Sequence, residues 1–283
     1  MKPARKGLYI LPSLFTVASI FCGLLAIILM FRAQGAADVY KAAMLIGLGM
    51  LLDSFDGRVA RMTNTQSEFG VQLDSLADVI TFGVAPAIVM YEYALQGLGF
   101  FGVFAAFCFT ACGALRLARF NVQASSETGP STHFVGLPIP AGAGVTMSFV
   151  LLMTASGHFR APEASVLPAA ALMIGVGLLM VSTVRFKTFK KMRVHLHEKL
   201  IVGSVLAIFV LLSVTNGFSA GLAATMVIYL SMGLGGAAIK LGARGLRAVR
   251  SGSSAALSAT EDVSEDGDDA IELRLSAPDD EQQ

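Results

Sequence analysis

Four aspartates lie within 26 consecutive positions of a sequence that is otherwise poor in acidic residues. Asp53 and Asp56 are three residues apart and Asp74 and Asp78 are four apart, so each pair shares one face of a helix. Both pairs fall at the ends of apolar stretches, where ionisable groups are costly and are usually retained for function. If residues 57–69 form a loop between two antiparallel helices, the four carboxylates converge at one membrane boundary.

Four converging carboxylates need nearby positive charge. Arg58 and Arg61 could supply part of it, in which case the cluster is a structural salt-bridge network. A pair of divalent cations could neutralise all of it, and an all-oxygen ligand set suits Mg²⁺, Mn²⁺ or Ca²⁺ rather than zinc. Two cations held by shared carboxylates support displacement at phosphorus, where attacking and leaving oxygens both need charge stabilisation. The spacing therefore favours phosphoryl-type transfer.

The composition around these aspartates is that of a membrane protein. Of the 283 residues, 54% are hydrophobic and 14% are charged, whereas soluble domains carry about 25% charged residues. This excludes a disordered chain, a nucleic-acid-binding arm and an ordinary soluble globule. We expect membrane lipids, and no nucleic acid, among the partners.

Eight apolar segments are long enough to be candidate spans, which predicts an all-α, polytopic membrane protein with about eight transmembrane helices. With eight spans, the segments on the side of both termini carry 17 Lys and Arg, and the opposite segments carry 3. The positive-inside rule then places both termini in the cytoplasm. The predicted spans cover about residues 8–31, 37–54, 72–95, 98–117, 138–157, 164–184, 200–215 and 219–240.

The last 33 residues differ in character from the rest. Residues 251–283 contain 10 acidic residues, a single basic one (Arg274) and no aromatic residue. Such a segment cannot bury enough apolar surface to fold. We therefore predict a membrane-embedded domain over residues 1–250 and an acidic, disordered cytoplasmic tail over residues 251–283.

Small and basic residues near the aspartates add further candidates. Gly57, Ala60 and Gly70 would let helices, or a ligand, approach the backbone closely. Arg116 and Arg119 lie at i, i+3 near a predicted helix end, where they could clamp a phosphate or a carboxylate, or act only as topology signals.

The whole stretch reads Asp53-x-x-Asp56-Gly57-x-x-Ala60-Arg61-x8-Gly70-x3-Asp74-x3-Asp78. It resembles the full signature of the CDP-alcohol phosphotransferase family, with every fixed position present. The resemblance implies an integral membrane enzyme that transfers a substituted phosphate from a CDP-linked donor to an alcohol and releases CMP. It also implies two divalent cations (Mg²⁺ or Mn²⁺) on the four aspartates, with Asp78 as the general base. The implied donor contacts are Gly57, Ala60, Arg61 and Gly70.

Further segments are similar to the membrane-integral bacterial phosphatidylserine synthases of that family: residues 6–16 followed by 21–23, then 74–87, 114–121 and 134–141. The sequence departs from their usual pattern at Ser13 and Ser19, where they carry Asn. The resemblance implies CDP-diacylglycerol and L-serine as substrates, phosphatidylserine and CMP as products, a homodimer, and an active site facing the cytoplasm at the bacterial inner membrane. It places Pro12 and Thr16 near the nucleotide, and assigns acceptor or lipid-phosphate contacts to Arg116, Arg119, Asn121, Gly136 and Pro138.

Three alternatives remain open from the sequence. The same chemistry could use another acceptor, such as glycerol 3-phosphate, inositol phosphate or choline. A metal-ion transporter could use the acids as a translocation path, which predicts acids near the bilayer midplane. A non-catalytic lipid-binding homologue is the third, and the intact set of aspartates argues against it.

Overall fold

The computed structural model describes residues 10–63, 67–126, 134–186 and 196–235, and these form eight helices joined by short connections. Two two-residue strands, β1 (Phe134–Val135) and β2 (Arg185–Phe186), pair antiparallel. The described residues up to Gly233 make one compact unit, and the predicted tail, residues 251–283, lies outside the described residues. The helices are α1 (Ile10–Phe31), α2 (Ala36–Thr63), α3 (Glu68–Leu98), α4 (Phe100–Ser126), α5 (Ile139–Ala155), α6 (Glu163–Val181), α7 (Leu196–Asn216) and α8 (Phe218–Gly235).

The all-helical prediction is confirmed, and each of the eight predicted spans coincides with one helix. Within the described residues, five helices are long and apolar enough to cross a membrane: α1, α3, α4, α6 and α8. The apolar parts of α5 and α7 are shorter, and α2 carries charged residues in its second half. The two short strands were not predicted, because two residues give no periodic pattern.

The outer surface of the helices is strongly apolar. Phe100, Phe107, Leu115 and Leu178 are each more than half exposed. So many exposed apolar side chains need a non-aqueous neighbour, and lipid supplies one along the candidate spans. The protein is therefore an integral membrane protein.

The prediction of a loop over residues 57–69 is wrong. Helix α2 continues to Thr63, and α3 already begins at Glu68. Residues 58–63 contain neither Gly nor Pro, so nothing stops the helix there. The next helix is capped by Ser67, whose Oγ accepts a hydrogen bond from the Gly70 backbone N–H at 3.0 Å, a standard N-cap.

Helix α3 changes its winding four times along its length. It is α-helical over Glu68–Asp78, π-helical over Val79–Val84, α-helical over Ala85–Met90 and π-helical over Tyr91–Leu95, and it closes with a 3₁₀ turn. Because each π turn adds a residue, it rotates the helix faces that follow it, and such turns often accompany functional sites. The first π turn begins directly after Asp78.

The buried core is centred on α3, which packs against α1, α2 and α4, and it is extended by the packing of α2 on α5 and of α4 on α6. Phe82, Phe109, Ile46 and Tyr93 are almost completely buried. Helices α4 and α6 approach closely, since a Cβ added at Gly177 would lie 3.2 Å from the Phe109 Cα. This core fixes α2 and α3 as a rigid frame for the aspartates.

Candidate functional site

The aspartates come from the end of α2 and the beginning of α3, and the structure brings them together. Asp53, Asp56 and Asp74 each present a carboxylate oxygen, and these oxygens lie within 4.8 Å of one another. Asp78, one turn further along α3, interacts electrostatically with Asp53 and Asp74. The distance is short enough for the three carboxylates to ligate common cations.

Two oxygens in this cluster lack a hydrogen-bond partner. Oδ1 of Asp53 and Oδ1 of Asp78 are both buried, and neither is paired among the residues that the structure describes. Buried polar atoms are nearly always hydrogen-bonded, so orphaned carboxylate oxygens point to a missing ligand. The donor set consists of oxygens only and fits Mg²⁺ or Mn²⁺.

Arg58 and Arg61 do not neutralise the cluster. Both side chains are exposed, and the salt bridge found within the described ranges joins Lys41 to Asp38 at 3.1 Å, at the other end of α2. A structural salt-bridge network of these arginines with the aspartates is therefore absent from the described part of the chain. Among the described cations, Arg116 on α4 is buried and exerts an electrostatic effect on Asp78.

Helix α1 orients one of the carboxylates. The Thr16 hydroxyl donates a buried hydrogen bond of 2.7 Å to Oδ2 of Asp56. Thr16 was predicted to lie near the nucleotide, and its described contact is with this aspartate. A hydrogen bond that fixes a prospective metal ligand holds it in one rotamer before any ligand arrives. Pro12, the other predicted contact on α1, falls in its first turn, and its side chain lies outside the described residues.

Below the aspartates, the first π turn of α3 packs tightly between α1 and α2. The Thr81 hydroxyl donates to the Ser19 carbonyl at 3.1 Å, and the Ser19 hydroxyl donates to the Gly49 carbonyl at 3.1 Å. A Cβ at Gly49 would lie 2.8 Å from the Thr81 Cγ2, and one at Gly23 would lie 3.0 Å from the Thr81 Cα. The small residues thus let three helices lock together directly beneath the site.

The predicted donor contacts lie on helices that flank the cluster. Gly57 follows Asp56 on α2, and a Cβ added there would meet nothing within 4 Å, so open space adjoins the backbone. Ala60 is half-buried and Arg61 is exposed one turn further along. At Gly70 an added Cβ would lie 3.2 Å from the capping Ser67 Oγ, which gives this glycine a packing role as well.

The predicted acceptor contacts divide into two groups. Asn121 lies near the aspartates: its Nδ2 donates to the Ser75 Oγ at 2.9 Å, next to Asp74 on α3. Arg116 is buried on the same helix, five residues before Asn121. By contrast, the Arg119 guanidinium donates to the Val181 carbonyl at 3.1 Å, at the end of α6.

Gly136 and Pro138 pack at the junction of α5 with α6. Gly136 has a φ of +87°, and an added Cβ would lie 2.1 Å from the Met180 carbonyl oxygen, so only glycine fits. Its backbone N–H donates to the Val184 carbonyl at 2.8 Å, and Pro138 precedes the first residue of α5. The described contacts give these two residues a role in the fold, and their assignment to the acceptor stays a prediction.

Sequence reasoning missed two contributors. No sequence pattern distinguishes the Ser19–Thr81 pair, because single hydroxyl residues in apolar helices are common. Tyr229 on α8, which packs against the buried core, could have been suspected from the apolar spacing of Leu222, Met226, Tyr229 and Leu230, which marks one packed helix face.

Comparison with known proteins gives concordant matches. The family model described as CDP-alcohol phosphatidyltransferase matches residues 9–184. A protein of Helicobacter pylori (strain ATCC 700392 / 26695), named CDP-diacylglycerol–serine O-phosphatidyltransferase, is 42% identical over 189 residues, which cover 67% of this chain and 76% of the relative. Proteins of the same name from Bacillus subtilis (strain 168) and Methanocaldococcus jannaschii are 37% identical over 181 residues and 39% identical over 174 residues. The matches cover 64% and 62% of this chain, and 92% and 72% of the respective relatives.

Proposed function

The chain belongs to the CDP-alcohol phosphatidyltransferase family, and from this premise we propose that it transfers the phosphatidyl group of CDP-diacylglycerol to L-serine, giving phosphatidylserine and CMP. The relatives that carry the name CDP-diacylglycerol–serine O-phosphatidyltransferase support serine as the acceptor. The observation that carries the chemistry is the convergence of Asp53, Asp56 and Asp74 within 4.8 Å.

Two divalent cations, Mg²⁺ or Mn²⁺, fit the cluster. Asp53, Asp56 and Asp74 would hold them, with Asp78 completing the second site, and the orphaned oxygens of Asp53 and Asp78 support this assignment. When bound, such cations neutralise the diphosphate and stabilise the charge on the leaving oxygen. The Thr16 hydroxyl holds Asp56 in place for this role.

Asp78 is the proposed general base. Its carboxylate takes the proton from the serine hydroxyl as the serine oxygen bonds to the phosphorus that carries diacylglycerol. The bond between that phosphorus and the bridging oxygen of CMP breaks, and CMP leaves with the electron pair. Within the described residues no Cys or His belongs to the cluster, which favours direct attack over a covalent enzyme intermediate.

Two neighbouring features suit the substrates. The open space beside Gly57 gives the diphosphate of the donor access to the backbone next to Asp56. The buried Arg116 offers a guanidinium to an oxyanion, either the serine carboxylate or a lipid phosphate. Ala60, Arg61 and Gly70 are the remaining proposed donor contacts.

We infer that the site faces the cytoplasm and that the membrane is the bacterial inner membrane. The predicted segments on the side of the aspartates carry 17 of the 20 Lys and Arg in residues 1–250, as the positive-inside rule requires of cytoplasmic segments. The homodimer expected from the family stays a prediction that cross-linking in native membranes would test.

An acceptor screen tests the proposal. Purified full-length protein receives CDP-diacylglycerol and, in turn, radiolabelled serine, glycerol 3-phosphate, inositol phosphate and choline, with CMP release as the readout. We expect CMP release with serine, dependent on Mg²⁺ or Mn²⁺ and abolished by EDTA. Release with another acceptor alone would overturn serine as the substrate. Cation uptake into proteoliposomes without any CMP release would favour a transporter.

A further inference from the structure

A layer of buried contacts lies one helical turn below the aspartates. We call it the contact layer, and it consists of Ser19 on α1, Gly49 on α2 and Thr81 on α3. Each member is three or four residues from a residue of the site on its own helix, namely Thr16, Asp53 and Asp78. Such spacings join adjacent turns of a helix. The contact layer therefore connects the same three helices that carry Thr16 and the aspartates.

Two hydrogen bonds cross the contact layer. The Thr81 hydroxyl donates to the Ser19 carbonyl at 3.1 Å, which joins α3 to α1. The Ser19 hydroxyl donates to the Gly49 carbonyl at 3.1 Å, which joins α1 to α2. The two hydroxyl oxygens are themselves 3.5 Å apart. In apolar surroundings, hydroxyl groups that bond across a close helix contact hold the helices together.

The Thr81 side chain contacts both neighbouring helices at once. Its hydroxyl bonds to α1, and its Cγ2 would lie 2.8 Å from a Cβ added at Gly49 on α2, closer than a real Cβ contact. A Cβ added at Gly23 on α1 would lie 3.0 Å from the Thr81 Cα. Since Thr81 is completely buried, its close packing leaves α3 little freedom to slide or rotate against α1 and α2.

Shared cations require a fixed distance between α2 and α3. Two of the four aspartates come from each helix, so a shift of one helix separates carboxylates that would ligate together. Asp56 is held directly by the Thr16 hydroxyl at 2.7 Å. Asp78 keeps a buried oxygen without a partner among the described residues, so its place depends on the backbone of α3. Thr81 anchors that backbone three residues further along.

We propose that Thr81 is a positioning residue for the aspartate cluster: by fixing α3 against α1 and α2, it places Asp78 where the carboxylates can share divalent cations. The inference rests on the proposed function, because that function assigns the cations to the cluster. Mg²⁺ accepts little departure from octahedral geometry, and a misplacement of about 1 Å in an active site can cost about 100-fold in rate. In this role Thr81 acts through Asp78 and does not touch the substrate.

The first test compares Thr81→Val with Thr81→Ser in the full-length enzyme. Thr81→Val keeps the shape of the side chain and removes the hydroxyl. We expect it to raise the Mn²⁺ concentration needed for half-maximal rate about tenfold, the lower end of the effect seen for outer partners of metal sites. Thr81→Ser keeps the hydroxyl, and its Mn²⁺ requirement should lie between those of the wild type and Thr81→Val.

Thr146→Val is the matched control. Thr146 on α5 is also completely buried, and its hydroxyl donates to the Gly142 and Ala143 carbonyls of its own helix, at 3.2 and 3.0 Å. The same substitution there removes a buried hydroxyl that bonds within one helix. The Mn²⁺ requirement of Thr146→Val should therefore stay within about twofold of the wild type.

The Mn²⁺ requirement separates positioning from stability. A residue that only stabilises the fold changes the folded fraction, and hence the maximal rate, while the folded molecules need the same Mn²⁺ concentration. A lower maximal rate of Thr81→Val at an unchanged Mn²⁺ requirement would therefore overturn the proposal, and so would an equal rise in Thr146→Val. The thermal unfolding midpoint of each variant measures the loss of stability separately.

A compensating pair of substitutions tests the contact with α2. In Gly49→Ala the new methyl group meets the Thr81 Cγ2 at 2.8 Å and displaces α3, so we expect the Mn²⁺ requirement to rise about tenfold or more. Thr81→Ser removes that Cγ2, so the Gly49→Ala/Thr81→Ser double variant should need less Mn²⁺ than Gly49→Ala alone. Independent sites would instead multiply their effects, and that result would overturn the proposal.

Calorimetry of Mn²⁺ binding to the purified proteins in detergent separates this inference from the proposed function. If the wild type binds Mn²⁺ but releases no CMP with any acceptor, the proposed function fails, and about tenfold weaker binding by Thr81→Val still supports the positioning role. If CMP is released and Thr81→Val binds Mn²⁺ as tightly as the wild type, the positioning role fails and the proposed function stands. A wild type that binds no Mn²⁺ would overturn the positioning role together with the cation assignment.

Discussion

Both ends of α3 carry polar side chains, and the two sets differ in how completely they are hydrogen-bonded. At the far end, Arg160 Nη1 donates to the Gln96 Oε1 at 2.7 Å, and Gln96 in turn donates to the Glu92 carboxylate. The Tyr93 hydroxyl donates to the His158 carbonyl at 3.4 Å. The polar groups at this end therefore satisfy one another.

At the near end, Asp53 and Asp78 each keep a buried oxygen without a partner among the described residues, and three carboxylates present oxygens within 4.8 Å of one another. Like charges repel each other, and buried acceptors without a hydrogen-bond partner are costly. A bound cation would relieve both of these energetic costs. In this protein, a binding site differs from a structural polar cluster in how completely its hydrogen-bonding groups are paired, and not in how polar it is. Four substitutions test this difference between the two ends of α3.

Asp78→Asn should have the largest effect. Removing a general base typically costs about 10²- to 10⁴-fold in rate, and the amide cannot take the serine proton although it keeps the size of the side chain. We expect CMP release to become undetectable, while Mn²⁺ binding, measured by calorimetry, is weakened but retained. Near-normal turnover in this variant would show that Asp78 is not the base.

Asp56→Ala should have the second-largest effect on activity. The change removes one of the converging carboxylates. We expect activity to fall by more than the factor of about 10 to 100 that is typical when only an outer partner of a metal ligand is disturbed. We expect the affinity for CDP-diacylglycerol to stop responding to added Mn²⁺. Unchanged Mn²⁺-dependent donor binding would contradict the assignment of Asp56 as a ligand.

Much of this site was predictable from spacing alone. The i, i+3 and i, i+4 aspartates and the eight helices follow from helical periodicity and apolar length, which are local properties of the sequence. The loop prediction over residues 57–69 failed because the boundaries depend on weaker signals: α2 continues through Arg58 and Arg61, and the start of α3 is set by the Ser67 cap.

Contacts between distant segments could not be predicted. The Thr16–Asp56 hydrogen bond joins residues 40 apart, and Asn121 bonds Ser75 across 46 residues. The roles of such residues depend on how the helices pack, which periodicity does not specify. Gly136 shows the same limit, because its need for a positive φ and for a close approach to Met180 exists only in the folded chain.

Thr16→Val should have an intermediate effect. The substitution keeps the shape of the side chain and removes the hydroxyl that donates to Asp56 at 2.7 Å. We expect activity to fall about 10- to 100-fold, as for other outer partners of metal ligands, with a higher Mn²⁺ concentration needed for half-maximal rate. Thr16→Ser, which keeps the hydroxyl, is the matched control and should retain most activity. Equal losses in both variants would mean that packing of the methyl group, rather than the hydrogen bond, is what matters.

Arg160→Met at the far end should have the smallest effect on activity. The change removes the 2.7 Å hydrogen bond to Gln96 while it keeps most of the side-chain length. Because an exposed hydrogen bond of this kind contributes about 1 kcal/mol, the thermal unfolding midpoint should fall by a few degrees, while kcat and both KM values stay within about twofold. Metal dependence should be unchanged, since the pairs at this end are complete without a ligand. A shift in the Mn²⁺ requirement on mutating Arg160 would show that the two ends are coupled through α3, and that complete pairing does not mark a purely structural cluster.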